Sequence, residues 1–123
     1  MKSALEIVQK WFCSMDENLL AEDIIWKVSK GYPVSQTHYS SRQEVFKKFF
    51  PELSAHFSKW GAETETFIEA DDKVIVKGRY VGLVKRSDIP IEVDFIHIWT
   101  VREEVIIEVE SVADTAQFAR HDL

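Results

Sequence analysis

The stretch 91-IEVDFIHIWTVREEVIIEVESVADTAQFARHDL-123 decides the fold. It holds two long β-rich runs, a tight polar turn at Arg102-Glu103-Glu104 and a short terminal helix. Side chains alternate across a strand, so Val93, Phe95, His97, Trp99 and Val101 share one face of the first run. Asp94, Ile96, Ile98 and Thr100 share the other. Both faces are largely apolar, which a sheet with one face in water does not need. One face is expected to meet helices and a pocket, and the other a second subunit, giving a homodimer through the sheet.

Working backward, 60-WGAETETFIEA-70 and 73-KVIVKGRYVGLVK-85 supply two more strands, with turns at Asp71-Asp72 and Arg86 to Pro90. Nearer the N-terminus, Ser3 and Glu6 have capping-box spacing. Leu5, Val8, Phe12, Met15 and Leu19 then recur at helical steps. Residues 24–28, Ile-Ile-Trp-Lys-Val, read as a strand, and the Gly- and Pro-containing segment Lys30 to Ser40 as a loop. Ser41 and Glu44 repeat the capping-box spacing, and Pro51 suits the first turn of a separate following helix. Helices set against four consecutive antiparallel strands define an α+β fold. Strands this long twist and curl, and helices across the concave side enclose an apolar pocket.

Composition narrows the partners. The 123 residues make one domain, 1–123, with 46% hydrophobic and 29% charged residues. A net charge of −6 and no basic run longer than Lys47-Lys48 argue against nucleic acid. No apolar run approaches a membrane span, and the N-terminus lacks the pattern of a signal peptide, so a cytoplasmic protein is expected. Cys13 is the only cysteine, expected as a buried, inert thiol beside Phe12. The histidines, at 38, 56, 97 and 121, share no short ligand motif, so neither a metal nor another cofactor is expected. His56 and His121 read as solvated.

Two residues stand out as a possible site. His97 lies on the more aromatic strand face, either as a core histidine satisfied by a carbonyl or as a group aimed at a ligand. Asp114 ends the next strand, where it can orient His97 or cap the helix that follows. Trp11, Trp26, Tyr39, Phe46, Phe50, Trp60 and Trp99 are either core or the walls of a ligand pocket. Tyr39 is singled out as a binding residue by its loop position.

"AEDIIW", "FIHIWTV" and "VADTAQF", in this order and spacing, resemble the SnoaL-like polyketide cyclase and ketosteroid-isomerase-like branch of the nuclear-transport-factor-2-like superfamily. The resemblance covers nearly the whole chain. It implies a conical, cystatin-like α+β barrel, with a strongly curved antiparallel sheet wrapped by N-terminal helices around a hydrophobic pocket and a dimer through the sheet. It also implies Asp114 as an acid/base group and His97 as its neighbour on the preceding strand. Trp11, in "IVQKW", stands where the steroid isomerases carry a donor tyrosine, and the position of their base falls near Val28, so their reaction is not implied. Arg102-Glu103-Glu104 replaces the glycine-containing hairpin usual in these relatives. The function expected is that of a small-molecule enzyme of cyclase or isomerase type, moving a proton on an apolar carbonyl substrate without cofactor. The alternatives are a non-catalytic binding module for a small hydrophobic ligand and a structural dimer whose pocket its own side chains fill.

Overall fold

The computed structural model describes residues 2–123. Helix α1 spans Ala4–Ser14, and both halves of the Ser3–Glu6 capping box are formed. The Glu69 carboxylate accepts the Leu5 N–H at 3.0 Å, tying this helix end to the sheet. The helix buries Ile7, Val8 and Trp11, while Phe12 is half-buried and Met15, in a left-handed C-cap, is exposed. The buried stripe is thus rotated from the expected one. Cys13 falls on the outer side and is exposed, not buried.

Strands β1 (Leu20–Val28), β2 (His38–Tyr39), β3 (Phe57–Ala70), β4 (Lys73–Val84), β5 (Pro90–Arg102) and β6 (Val105–Ala113) form one sheet, ordered β2-β1-β6-β5-β4-β3. The four long C-terminal strands are an antiparallel meander, as the alternation predicts. The β1–β6 seam is parallel, so the sheet is mixed, and its edges do not close on one another. Curvature has a local cause. β3 is bulged between Phe57 and Lys59, opposite Val84 and Leu83, and between Thr64 and Thr66, opposite Gly78 and Lys77. A Cβ on Gly78 would meet the Glu63 carbonyl oxygen at 2.3 Å and Phe95 Cζ at 2.9 Å. Only glycine lets the strands close up there.

The second helical region is continuous rather than two helices: α2 (Arg42–Glu44), a π-helical turn (Val45–Phe49) and α3 (Phe50–Ser54). Ser41 caps it by accepting the Glu44 N–H. Pro51 cannot donate to the helical ladder. The π turn, closed by Phe50 N–H to the Val45 carbonyl, inserts a residue ahead of it, and the helix passes on unbroken. A last helix, α4, spans Ala116–Ala119. Among the described residues, no helix is long and apolar enough to cross a membrane.

Candidate functional site

Between α1, the π turn and the concave sheet face lies a cavity of about 180 Å³. Its far wall is built in rows by strand register. Trp26, Val109, Trp99 and Val74 form one row across β1, β6, β5 and β4. Val28, Ser111, His97 and Val76 form the next. Of the predicted wall residues, Trp11, Trp26, Phe50, Trp60 and Trp99 line the cavity. Two do not. Phe46 packs edge-on against Trp11 and Phe50 one layer out. Tyr39 is buried against Phe49 and donates its hydroxyl to the Gln36 carbonyl, so its loop position reflects core packing. Phe12, Phe49 and Tyr80 are wall residues outside the predicted set. The π turn brings the consecutive Phe49 and Phe50 both onto the cavity.

His97 is buried in this wall, stacked on Phe95 at 4.0 Å between ring centroids. Asp114 is not its partner. Ser111 is the residue opposite His97, and Asp114 lies three positions further, past the strand end and out of phase with the inner face. Its carboxylate is exposed and accepts from the Gln117 side chain at 3.2 Å. Nor does that carboxylate cap α4, whose N-cap is Thr115. His56 is half-buried, its Nε2 3.0 Å from the Pro33 carbonyl, and His121 is half-buried as well; neither is fully solvated.

The real partner of His97 is a cluster of hydroxyls. His97 Nε2 lies 2.7 Å from the Tyr80 hydroxyl, which lies 3.0 Å from Tyr32 and 3.3 Å from Ser111. Tyr32 and Ser111 also bond to each other. Gly31, at φ 102° and against Thr115, sets the turn that brings Tyr32 inward. Four contacts are made, and the three hydroxyls supply only three protons. All four are satisfied only when the fourth proton comes from the imidazole, with Nε2–H donating to Tyr80. That assigns the tautomer and leaves Nδ1 as a bare lone pair with no partner.

Burial lowers His97 to about 3 from its ordinary 6.5, so the ring is neutral. Burial likewise raises the Tyr80 and Tyr32 hydroxyls, keeping both protonated. The lining carries no carboxylate. Among the described residues, no group of three or more His, Cys, Asp or Glu is placed to hold a metal ion. The site is thus an aromatic chamber with one neutral, oriented base in its wall.

Tyr80 was within reach of sequence reasoning, because Val74, Val76, Gly78 and Tyr80 alternate onto the inner face. Ser111 was not. The Arg102↔Val105 pairing, continued without interruption, sets Glu110 opposite His97; a bulge at Ile107 moves the register by one.

A curved sheet wrapped by helices around such a chamber is the architecture of the nuclear-transport-factor-2-like proteins. The SnoaL-like domain model matches residues 15–109, and the chain belongs to that family. An NTF2-like protein from Burkholderia thailandensis superposes with a TM-score of 0.86 at 26% identity, over 98% of this chain and 97% of that one. IdmH, a candidate polyketide cyclase from Streptomyces antibioticus, gives 0.81 at 14% identity over 97% of each chain. A protein with a ketosteroid isomerase-like fold from Catenulispora acidiphila, in complex with trimethylamine, gives 0.72 at 18% over 86% and 83%. No curated protein matches the sequence.

Proposed function

We propose that the protein is a cofactor-free enzyme of cyclase or isomerase type, acting on a small, mostly apolar carbonyl compound held in the aromatic chamber. The observation that carries this reading is the unpartnered Nδ1 of His97, held in a fixed tautomer by the hydroxyl cluster. Nδ1 takes a proton from the carbon beside the carbonyl. The C–H bond breaks, its electron pair passes into the enolate, and the imidazolium returns the proton to that carbon or, where a β,γ double bond extends the enolate into a dienolate, to the γ carbon. Tyr80 positions the ring by accepting from Nε2. A base lowered to about 3 is weak in the empty chamber. The enolate formed beside it in a largely apolar site favours the protonated ring and offsets that weakness.

The test is deuterium uptake at the benzylic carbon of phenylacetone in heavy water. Uptake faster than in buffer is expected, abolished by His97→Phe and slowed at least tenfold by Tyr80→Phe, with melting showing both variants folded. Exchange that survives His97→Phe refutes the role. The absence of a carboxylate from the lining favours a second reading, a binding module without turnover. Binding of phenylacetone without any accelerated exchange selects it.

The protein is further proposed to act as a cytoplasmic homodimer, joined through the outer sheet face. Ile68, Ile75 and Ile98 lie in one row there, and Ile96 and Val112 pair in the next. Ile96 and Val112 are 48% and 52% exposed, an apolar strip that a second copy covers. The exposed, unpaired Cys13 thiol suits a reducing compartment. Light scattering should give twice the 14.3 kDa chain mass; a monomer at micromolar concentration refutes the dimer.

A further inference from the structure

The described residues leave three buried side-chain polar atoms without a partner: His97 Nδ1, Trp26 Nε1 and Trp99 Nε1. All three belong to residues lining the one aromatic cavity. Trp26 is 5% exposed and Trp99 1%, and neither N–H has a protein acceptor. An indole N–H can only donate. Each ring is set edge-on or tilted against its neighbours, with Trp26 at 89° to Trp99 and their centroids 5.8 Å apart. A ring face is at most a second-order acceptor. Packing therefore accounts for the burial of these rings and not for their two unpaired N–H groups.

Register brings the two together. Trp26 and Trp99 flank Val109 in the same inner row, and His97 lies two residues along β5 from Trp99. The residues lining the chamber thus carry an unpartnered lone pair in one row and two unpartnered donors in the next. We infer that Trp26 and Trp99 are the donors that hold the acceptor oxygen of the ligand, and that the ligand is an oxygen-bearing compound of about one ring. Size follows from the cavity, since a chamber near 150 Å³ accepts benzene and this one is about 180 Å³. Class follows from the donors, because an acceptor oxygen satisfies both indoles where a hydrocarbon leaves them as they are. In the reaction proposed above, on which this assignment rests for its catalytic meaning, the same oxygen gains charge as Nδ1 removes the proton, and the two N–H groups strengthen their hold. Trp26 and Trp99 also set specificity, since a compound lacking the oxygen leaves both donors unpaired.

The experiment compares acetophenone with α-methylstyrene, which differ by C=O against C=CH₂ at nearly equal shape. Acetophenone should move the assigned indole N–H resonances of Trp26 and Trp99 downfield in the native protein, and α-methylstyrene should not. Trp26→Phe and Trp99→Phe should each weaken acetophenone binding by about tenfold and leave α-methylstyrene within about twofold. Equal affinity for the two probes, no movement of either indole resonance, or no binding of acetophenone overturns the inference. A variant that fails to fold leaves the resonance test on the native chain decisive. Loss of deuterium exchange with the indole shifts intact removes the proton transfer alone. Retained exchange with silent indoles removes the donors alone.

Discussion

The two faces of β5 both carry apolar side chains and put them to opposite use. On the inner face, Phe95, His97 and Trp99 are buried, and the imidazole finds its hydroxyl partner on β4. On the outer face Ile96 stands open beside Val112, and the nearby charges pair at the margins, as Arg79 does with Glu63 at 3.1 Å. Inside, a polar group is specified by what it must bond. Outside, an apolar group waits for a surface to cover it. Buried polar networks are therefore where small changes should cost most, and the outer face is where they should cost least.

The largest expected effect comes from acid. Between pH 6.5 and about 3, the unfolded His97 binds a proton that the folded ring refuses, so stability rises with pH across that window and falls on acidification. Its share of the loss between pH 7 and pH 4 is on the order of 3 kcal/mol. Denaturant titrations of the native chain and of His97→Phe at both pH values isolate it. The variant should lack this component of the slope, and parallel profiles would show a ring that protonates freely in the fold.

A smaller loss is expected from Gly78→Ala, which drives a methyl into the Glu63 carbonyl and the Phe95 ring beneath His97. Overpacking of this kind costs about 2 kcal/mol. The neighbouring Gly61, where a Cβ meets nothing within 4 Å, is the control and should accept alanine nearly unchanged in melting. Smallest of all is Ile96→Lys on the outer face. It should alter chain stability by less than about 0.5 kcal/mol while halving the mass seen by light scattering. A large fall in stability with the mass unchanged would erase the distinction between the faces.

The same contrast marks how far sequence reading reached. Alternation placed His97, Trp99 and Phe95 on one face, and the Ser3–Glu6 spacing placed the first helix start, because both signals are local. The parallel β1–β6 seam joins segments some eighty positions apart and leaves no local trace. Asp114 was read as a neighbour of His97 from its place at the end of the adjacent strand, but Ser111 is the residue opposite His97 and Asp114 is exposed beyond the strand end. Pro51 suggested a break in the helix that the π turn absorbs. The alternation of a single strand was legible; the parallel seam, the bulge and the face that α1 buries were not.

The bulge at Ile107 has a consequence for how such a chamber diversifies. It works as a frame setting: upstream and downstream of it the same sequence is read onto opposite sides of the sheet. Glu110 and Ser111 are adjacent in the chain, one outward and exposed, the other inward against His97. A single residue inserted after Val109 would exchange them. It would set a carboxylate opposite the imidazole and turn a hydroxyl-held neutral base into a charged dyad without altering any side chain. In this architecture, a change of strand length by one is a change of chemistry.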